Sequence, residues 1–169
     1  MDLNHVKLSP ALVTELYQKS LIEIGESKTE PIQKLPNIQS GMKWLGENKK
    51  KVLLIVHYTD AVFLPDEDLD FLTDILEACK LNIADVAILN KHNHTDTSYK
   101  DLLNQFNSKT IIMFDVEPSV LELPISFPQF QVQSFTNSSF LFSPSLIQLK
   151  KDKVLKSKLW VCLKKIFSL

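Results

Sequence analysis

The chain has no arginine: all nineteen of its basic residues are lysines. Arginine supplies the planar, two-pronged donors that read guanine edges and clamp phosphates. Its absence argues against a sequence-specific nucleic-acid reader, and a lysine-favouring genomic composition accounts for it without any functional demand. Glycine is scarce too, with Gly25, Gly41 and Gly46 standing far apart. A P-loop or a dinucleotide fingerprint needs several glycines within a few positions, so both are excluded. Two cysteines, Cys79 and Cys162, are too few for a disulfide framework, an all-cysteine zinc site or a four-cysteine iron–sulfur site. They read as buried thiols in a reducing compartment. The longest apolar runs span a few residues, against the ~20 of a membrane helix. The start, MDLNHVKLSP, lacks the apolar stretch of a signal peptide. A cytoplasmic protein with no membrane contact and no cofactor is expected.

What is present suits a soluble globular chain: 169 residues, 44% hydrophobic and 23% charged, enough for one domain, or one domain with an arm. The net charge of −1 hides a segregation. Asp60 to Glu77 holds seven acids and no lysine, whereas Lys150 to Lys165 holds seven lysines and one acid.

Residues 1–48 differ in character from the rest. Leu12, Leu16, Tyr17, Leu21 and Ile22 recur near helical spacing after Ser9-Pro10, a helix-opening pair. Gly25 to Pro36 is polar and reads as a linker. Ile38, Met42 and Leu45, with Trp44 beside them, suit a second short helix. This gives a helical N-terminal arm, 1–48, that packs on the domain or on a partner. Residues 49–169 form the domain. Val52–Val56 (VLLIV), Val86–Leu89 (VAIL) and Ile111–Phe114 (IIMF) are continuous apolar runs, the mark of strands buried on both faces. Phe130, Val132 and Ser134 alternate with glutamines and suggest a fourth strand. A helix opening at Pro65-Asp66 carries Leu69, Leu72, Ile75, Leu76 and Cys79 as its apolar stripe. A second is capped by Thr97 or Ser98, and a last runs from about Asp152 to Phe167. The order predicts a three-layer α/β domain around a mostly parallel four-stranded sheet. In such sheets sites form at the carboxyl ends of the strands, here His57 to Asp60, Asn90 to His94, Asp115 to Pro118 and Asn137 to Ser145.

Several residues there admit a chemical reading beside a structural one. Asp60 suits a general base with His57 nearby, though the reading favoured by its place in a loop is a turn that satisfies its own backbone. His92, His94 and Asp96, with Asp115 from the next strand, suit a metal ligand set or a solvated loop. Cys79 and Cys162 lie on apolar helix stripes and read as core rather than as nucleophiles. Lys153, Lys156, Lys158, Lys164 and Lys165 spread over the last helix. They suit phosphates or an acidic partner, or a solvated face that the helix dipole favours. Lysines alone give weak, salt-sensitive and non-specific nucleic-acid binding. Five phenylalanines lie between Phe127 and Phe142, of which Phe140 and Phe142 are the candidates for stacking bases.

Ser143-Pro144-Ser145-Leu146, followed by Lys153, Lys158-Leu159-Trp160 and Leu163, resembles the end of uracil-DNA glycosylase-like domains, over roughly Lys49 to Phe167. There a His-Pro-Ser-type loop leads into a helix with a Lys…Trp…Leu core. Active glycosylases carry a Gly-Glu-Ala-Pro-Gly-like turn after the first strand, where this chain has His57-Tyr58-Thr59-Asp60-Ala61. Ser143, with Phe142 before it, replaces their histidine. Base excision needs these parts, so the resemblance implies a non-catalytic branch. Within that branch the psi-subunit family of bacterial DNA polymerase III is similar at Ser143, Pro144, Leu146, Leu159 and Trp160. That resemblance implies a protein-interaction role in DNA replication, with clamp-loader or single-strand-binding proteins as partners. Leu12, Leu16, Tyr17, Leu21 and Trp44 of the arm would make the contact, with His57, Asp60, Phe142 and Ser143 as the remnant ligand or DNA loop. The alternative is a divergent enzyme of the same fold acting on nucleic acid or nucleotides.

Overall fold

The computed structural model describes residues 37–39 and 41–169. The predicted arm residues Leu12, Leu16, Tyr17 and Leu21 lie outside the described residues. The domain is α/β. Its strands are β1 (Asn37–Gln39), β2 (Met42–Gly46), β3 (Val52–Val56), β4 (Val86–Asn90), β5 (Thr110–Phe114), β6 (Val132–Phe135) and β7 (Ser138–Ser143). The helices are α1 (Asp66–Ala78), α2 (Tyr99–Phe106), α3 (Leu146–Lys151) and α4 (Lys153–Phe167). The sheet order is β1-β2-β4-β3-β5-β7-β6. β4, β3, β5 and β7 run parallel, and β2 and β6 add antiparallel on either side.

β3 shows why the centre is apolar throughout. Val52, Leu54 and Val56 face one core and Leu53 and Ile55 the other, so the period-2 alternation of a strand is hidden by burial on both sides. α1, α3 and α4 cover the first face through Leu72, Leu76, Leu146, Leu149, Leu159 and Leu163. α2 covers the second with Leu102 and Phe106, beside the irregular segment carrying Val116, Leu121 and Phe127. Side-chain caps start three helices: Ser98 on α2, Ser145 on α3 and Asp152 on α4.

The sheet is a six-strand mixed sheet extended by the short β1, not the expected four-stranded one. Two segments account for the difference. The stretch read as a short helix is β2: Met42 and Trp44 face the second core and Leu45 the first. Gln39 pairs with Met42, and Gly41, just before β2, takes a positive φ of 77°. Gly46 ends the strand, because a Cβ there would overlap the carbonyl oxygens of Val86 and Ile83. The second segment is Asn137 to Ser145. The sequence suggests a loop there, yet β7 is the strand that lies parallel to β5. The fourth strand read at Phe130 to Ser134 is the antiparallel edge β6. Thr136 and Asn137, both at positive φ (49° and 62°), make the tight turn between β6 and β7.

The domain boundary moves accordingly. The chain divides at Leu35/Pro36, and residues 37–48 belong to the domain rather than to an arm. Trp44, expected as a partner contact, is 6% exposed and sits edge-on to Phe106, with ring centroids 5.0 Å apart. Trp44→Ala is expected to lower unfolding stability by about 3–5 kcal/mol in denaturant titration. A tryptophan on a detached arm would change it by less than ~0.5 kcal/mol.

Candidate functional site at the carboxyl edge of the sheet

β3 leads through α1 to β4 on one side, and β4 leads through α2 to β5 on the other. The connection reverses between β3 and β5, and at that point the carboxyl ends of parallel strands open a crevice. Here it has a volume of about 390 Å³. His57, Tyr58, Thr59, Asp60 and Ala61 leave β3 into it, Phe114 and Asp115 leave β5, and Ser145, Leu146 and Ile147 open α3 beside it.

One side chain sets the shape of the β3 loop. Asn90, at the end of β4, is 1% exposed. Its Oδ1 accepts from the Tyr58 amide (3.0 Å) and the His92 amide (3.1 Å). Its Nδ2 donates to the Tyr58 and Ala61 carbonyls, both at 2.8 Å. A second tie runs through the Tyr58 hydroxyl, which donates to Asp68 Oδ2 at 2.5 Å. Asp68, buried in the first turn of α1, also takes Lys150 Nζ of α3 at 2.6 Å. Loop, α1 and α3 therefore meet at one carboxylate. Burial, and then the bond to Asp68, push the Tyr58 phenol well above its usual range. The Asp68 bond likewise raises Lys150.

The next loop is held in the same manner. Lys91, 2% exposed, donates to the carbonyls of His94 (2.8 Å), Thr95 (2.6 Å) and Thr97 (3.0 Å). Burial lowers its pKa, opposed by Asp96 and Glu122. Sequence reasoning places Asn90 and Lys91 only within the loop Asn90 to His94, without their bracing role, and misses Asp68 and Lys150. The signal for the first two is a polar pair directly after the apolar run VAIL.

The predicted site residues separate. His57 and Asp60 are exposed and line the crevice. Asp115 joins them, held at φ 58°, with its amide donating to the Ser143 carbonyl at 2.9 Å. Phe142 and Ser143 do not line it. Both belong to β7; Phe142 packs half-buried on the second core and Ser143 is 0% exposed, so no ligand reaches its hydroxyl. Ser145 Oγ is occupied as the α3 cap, accepting from the Gln148 amide at 3.3 Å.

The metal alternative is not assembled. The His92 ring stands edge-on to His57, with centroids 5.5 Å apart, while His94 Nε2 accepts from the Lys43 amide at 3.2 Å. Among the described residues no group of three His, Cys, Asp or Glu side chains is placed to hold a metal ion. Burial raises the Cys79 thiol to about 11 and raises Cys162. The Cys162 Sγ–H donates to the Phe130 carbonyl at 3.1 Å. Both thiols stay protonated at neutral pH, as core packing requires.

The lysines of α4 are exposed. Lys156 lies over the Phe71 ring, Lys158 over Phe130 and Lys164 over Trp160, at 5.4–5.9 Å. No described helix is long and apolar enough to cross a membrane.

Two measurements check the polar framework. Asn90→Ala leaves two part-buried amides and two carbonyls without their partner and is expected to lower stability by about 1–3 kcal/mol in urea. For Tyr58 the folded pKa lies above the unfolded 10.0. Its contribution is therefore complete below pH 10 and is lost as pH rises beyond it. Tyr58→Phe is expected to flatten the fall in stability above pH 10; an unchanged slope would contradict the assignment.

No protein-family model matches the chain, and no curated protein is significantly similar to it.

Proposed function

We propose that the chain is a non-catalytic interaction subunit on a uracil-DNA-glycosylase-like domain, associated with the DNA replication clamp loader. The observation that carries this reading is the burial of Ser143, at the position where the resembled glycosylases keep a histidine. A base-excising enzyme extrudes a base into a pocket whose polar groups reach it. A hydroxyl sealed inside β7 reaches nothing. Leu146 and Leu159, which share the resemblance, are buried too, so the common residues serve packing. The parallel strands β4-β3-β5-β7 supply the kind of core such a domain requires. The loop after β3 is spent on internal bonds through Asn90 and Asp68. In this reading Leu12, Leu16, Tyr17 and Leu21 make the partner contact, and the α4 lysines lie near DNA or an acidic surface.

A second reading is favoured by one feature: His57, Asp60 and Asp115 gather in a crevice where α/β enzymes place their sites. It makes the chain a divergent enzyme on nucleic acid or nucleotides, with Asp60 as general base.

Purified clamp-loader complex is expected to retain the full chain in a binding assay and to lose it when residues 1–35 are deleted. Asp60→Asn is expected to bind like the parent, and neither protein to release uracil from DNA. Uracil release that Asp60→Asn abolishes would replace the first reading with the second.

A further inference from the structure

On the side of the domain formed by α1 and α4, an apolar groove of about 230 Å³ runs between the two helices. Phe71 and Ile75 form one wall and Leu159, Trp160 and Leu163 the other. Asp74 stands on the α1 rim and Lys156 on the α4 rim. The two rim charges are opposite in sign, and the exposed charges of each helix follow the same division. α1 exposes Asp66, Glu67, Asp70, Asp74 and Glu77 and no lysine, whereas α4 exposes five lysines and no acid. Beyond its basic rim, α4 also exposes Val154 (61%) and Val161 (64%).

We infer that this face is a self-association surface whose occupant is a second copy of the chain. The argument is charge complementarity under symmetry. A two-fold axis through the groove lays α1 of each copy across α4 of the other. Each acidic rim then meets a basic rim, twice, and the two apolar strips close on each other. A two-fold axis running across the helices instead of along the groove would set acid on acid and lysine on lysine, which like-charge repulsion disfavours. The helices are roughly 20 Å and 22 Å long at 1.5 Å per residue. A face two helices wide thus buries on the order of 400 Å² per copy. That is below the ~600 Å² or more per partner of stable interfaces, so the dimer is weak and reversible. Screening by salt weakens it. The inference does not rest on the clamp-loader reading.

The test uses full-length protein and two variants, Asp74→Lys and Lys156→Glu, in sedimentation equilibrium up to about 0.5 mM, where even an interaction of ~100 μM populates the dimer. The parent is expected to dimerise at low salt and to dissociate at high salt. Each variant alone is expected to weaken association by about tenfold or more, because like charges face each other in its own dimer. Mixed one to one, the two variants set the introduced lysine of one chain against the introduced glutamate of the other. The second contact of that mixed dimer is the native pair of Asp74 and Lys156, so association should return. Recovery in the mixture cannot come from a fold defect in either chain. A parent that stays monomeric throughout overturns the inference. So does a dimer that ignores both variants, or variants that fail to rescue each other.

Discussion

Burial of β3 on both faces is the constraint from which the remaining architecture follows. A strand apolar on both sides needs a covered sheet on both sides. The two crossovers around it take opposite faces: α1, from β3 to β4, on one, and α2, from β4 to β5, on the other. Right-handed crossovers on opposite faces carry the chain in opposite directions, so β4 and β5 land on either side of β3. The crevice at their carboxyl ends is a geometric result of that arrangement. What it holds was left to the loops.

Those loops are fixed by buried polar side chains rather than by apolar packing. Asn90 uses both ends of its amide on the β3 loop and on the turn after β4. Lys91 gives three donors to three carbonyls of the following loop. Asp68 joins Tyr58 to Lys150. Buried polar groups are costly unless paired, and once paired they select one conformation of the backbone around them. The crevice wall is thus built as a fixed scaffold, with His57, Asp60 and Asp115 as its exposed polar surface.

The class of fold and the central strands are legible in the sequence because unbroken apolar runs this short have few other uses in an α/β domain. Met42–Gly46 misleads, since Ile38, Met42 and Leu45 happen to lie near helical spacing and hide the period-2 pair Met42 and Trp44. Ser138–Ser143 misleads again, because serines at both ends disguise an interior strand; Ser138 is buried there because its hydroxyl donates to the Ser108 carbonyl. At the crevice, His57 and Asp60 are legible because they follow an apolar strand directly. Asn90 and Asp68 are not, since their partners lie on other elements and no local pattern announces a tertiary hydrogen bond. The charge segregation is legible, but only the structure places both charged helices on one groove.

Two surfaces thus differ in kind: a polar crevice with a rigid wall, and a charged, apolar groove. In the proposed function the wall is scaffold and the chain binds proteins. Amide hydrogen exchange across residues 57–61 and at His92, with and without uracil-containing DNA, tests that most directly. The account predicts slow exchange in the free protein, unchanged by the DNA. Fast exchange in the free protein that becomes slow when the DNA is added would contradict it, by showing a loop that closes on a substrate.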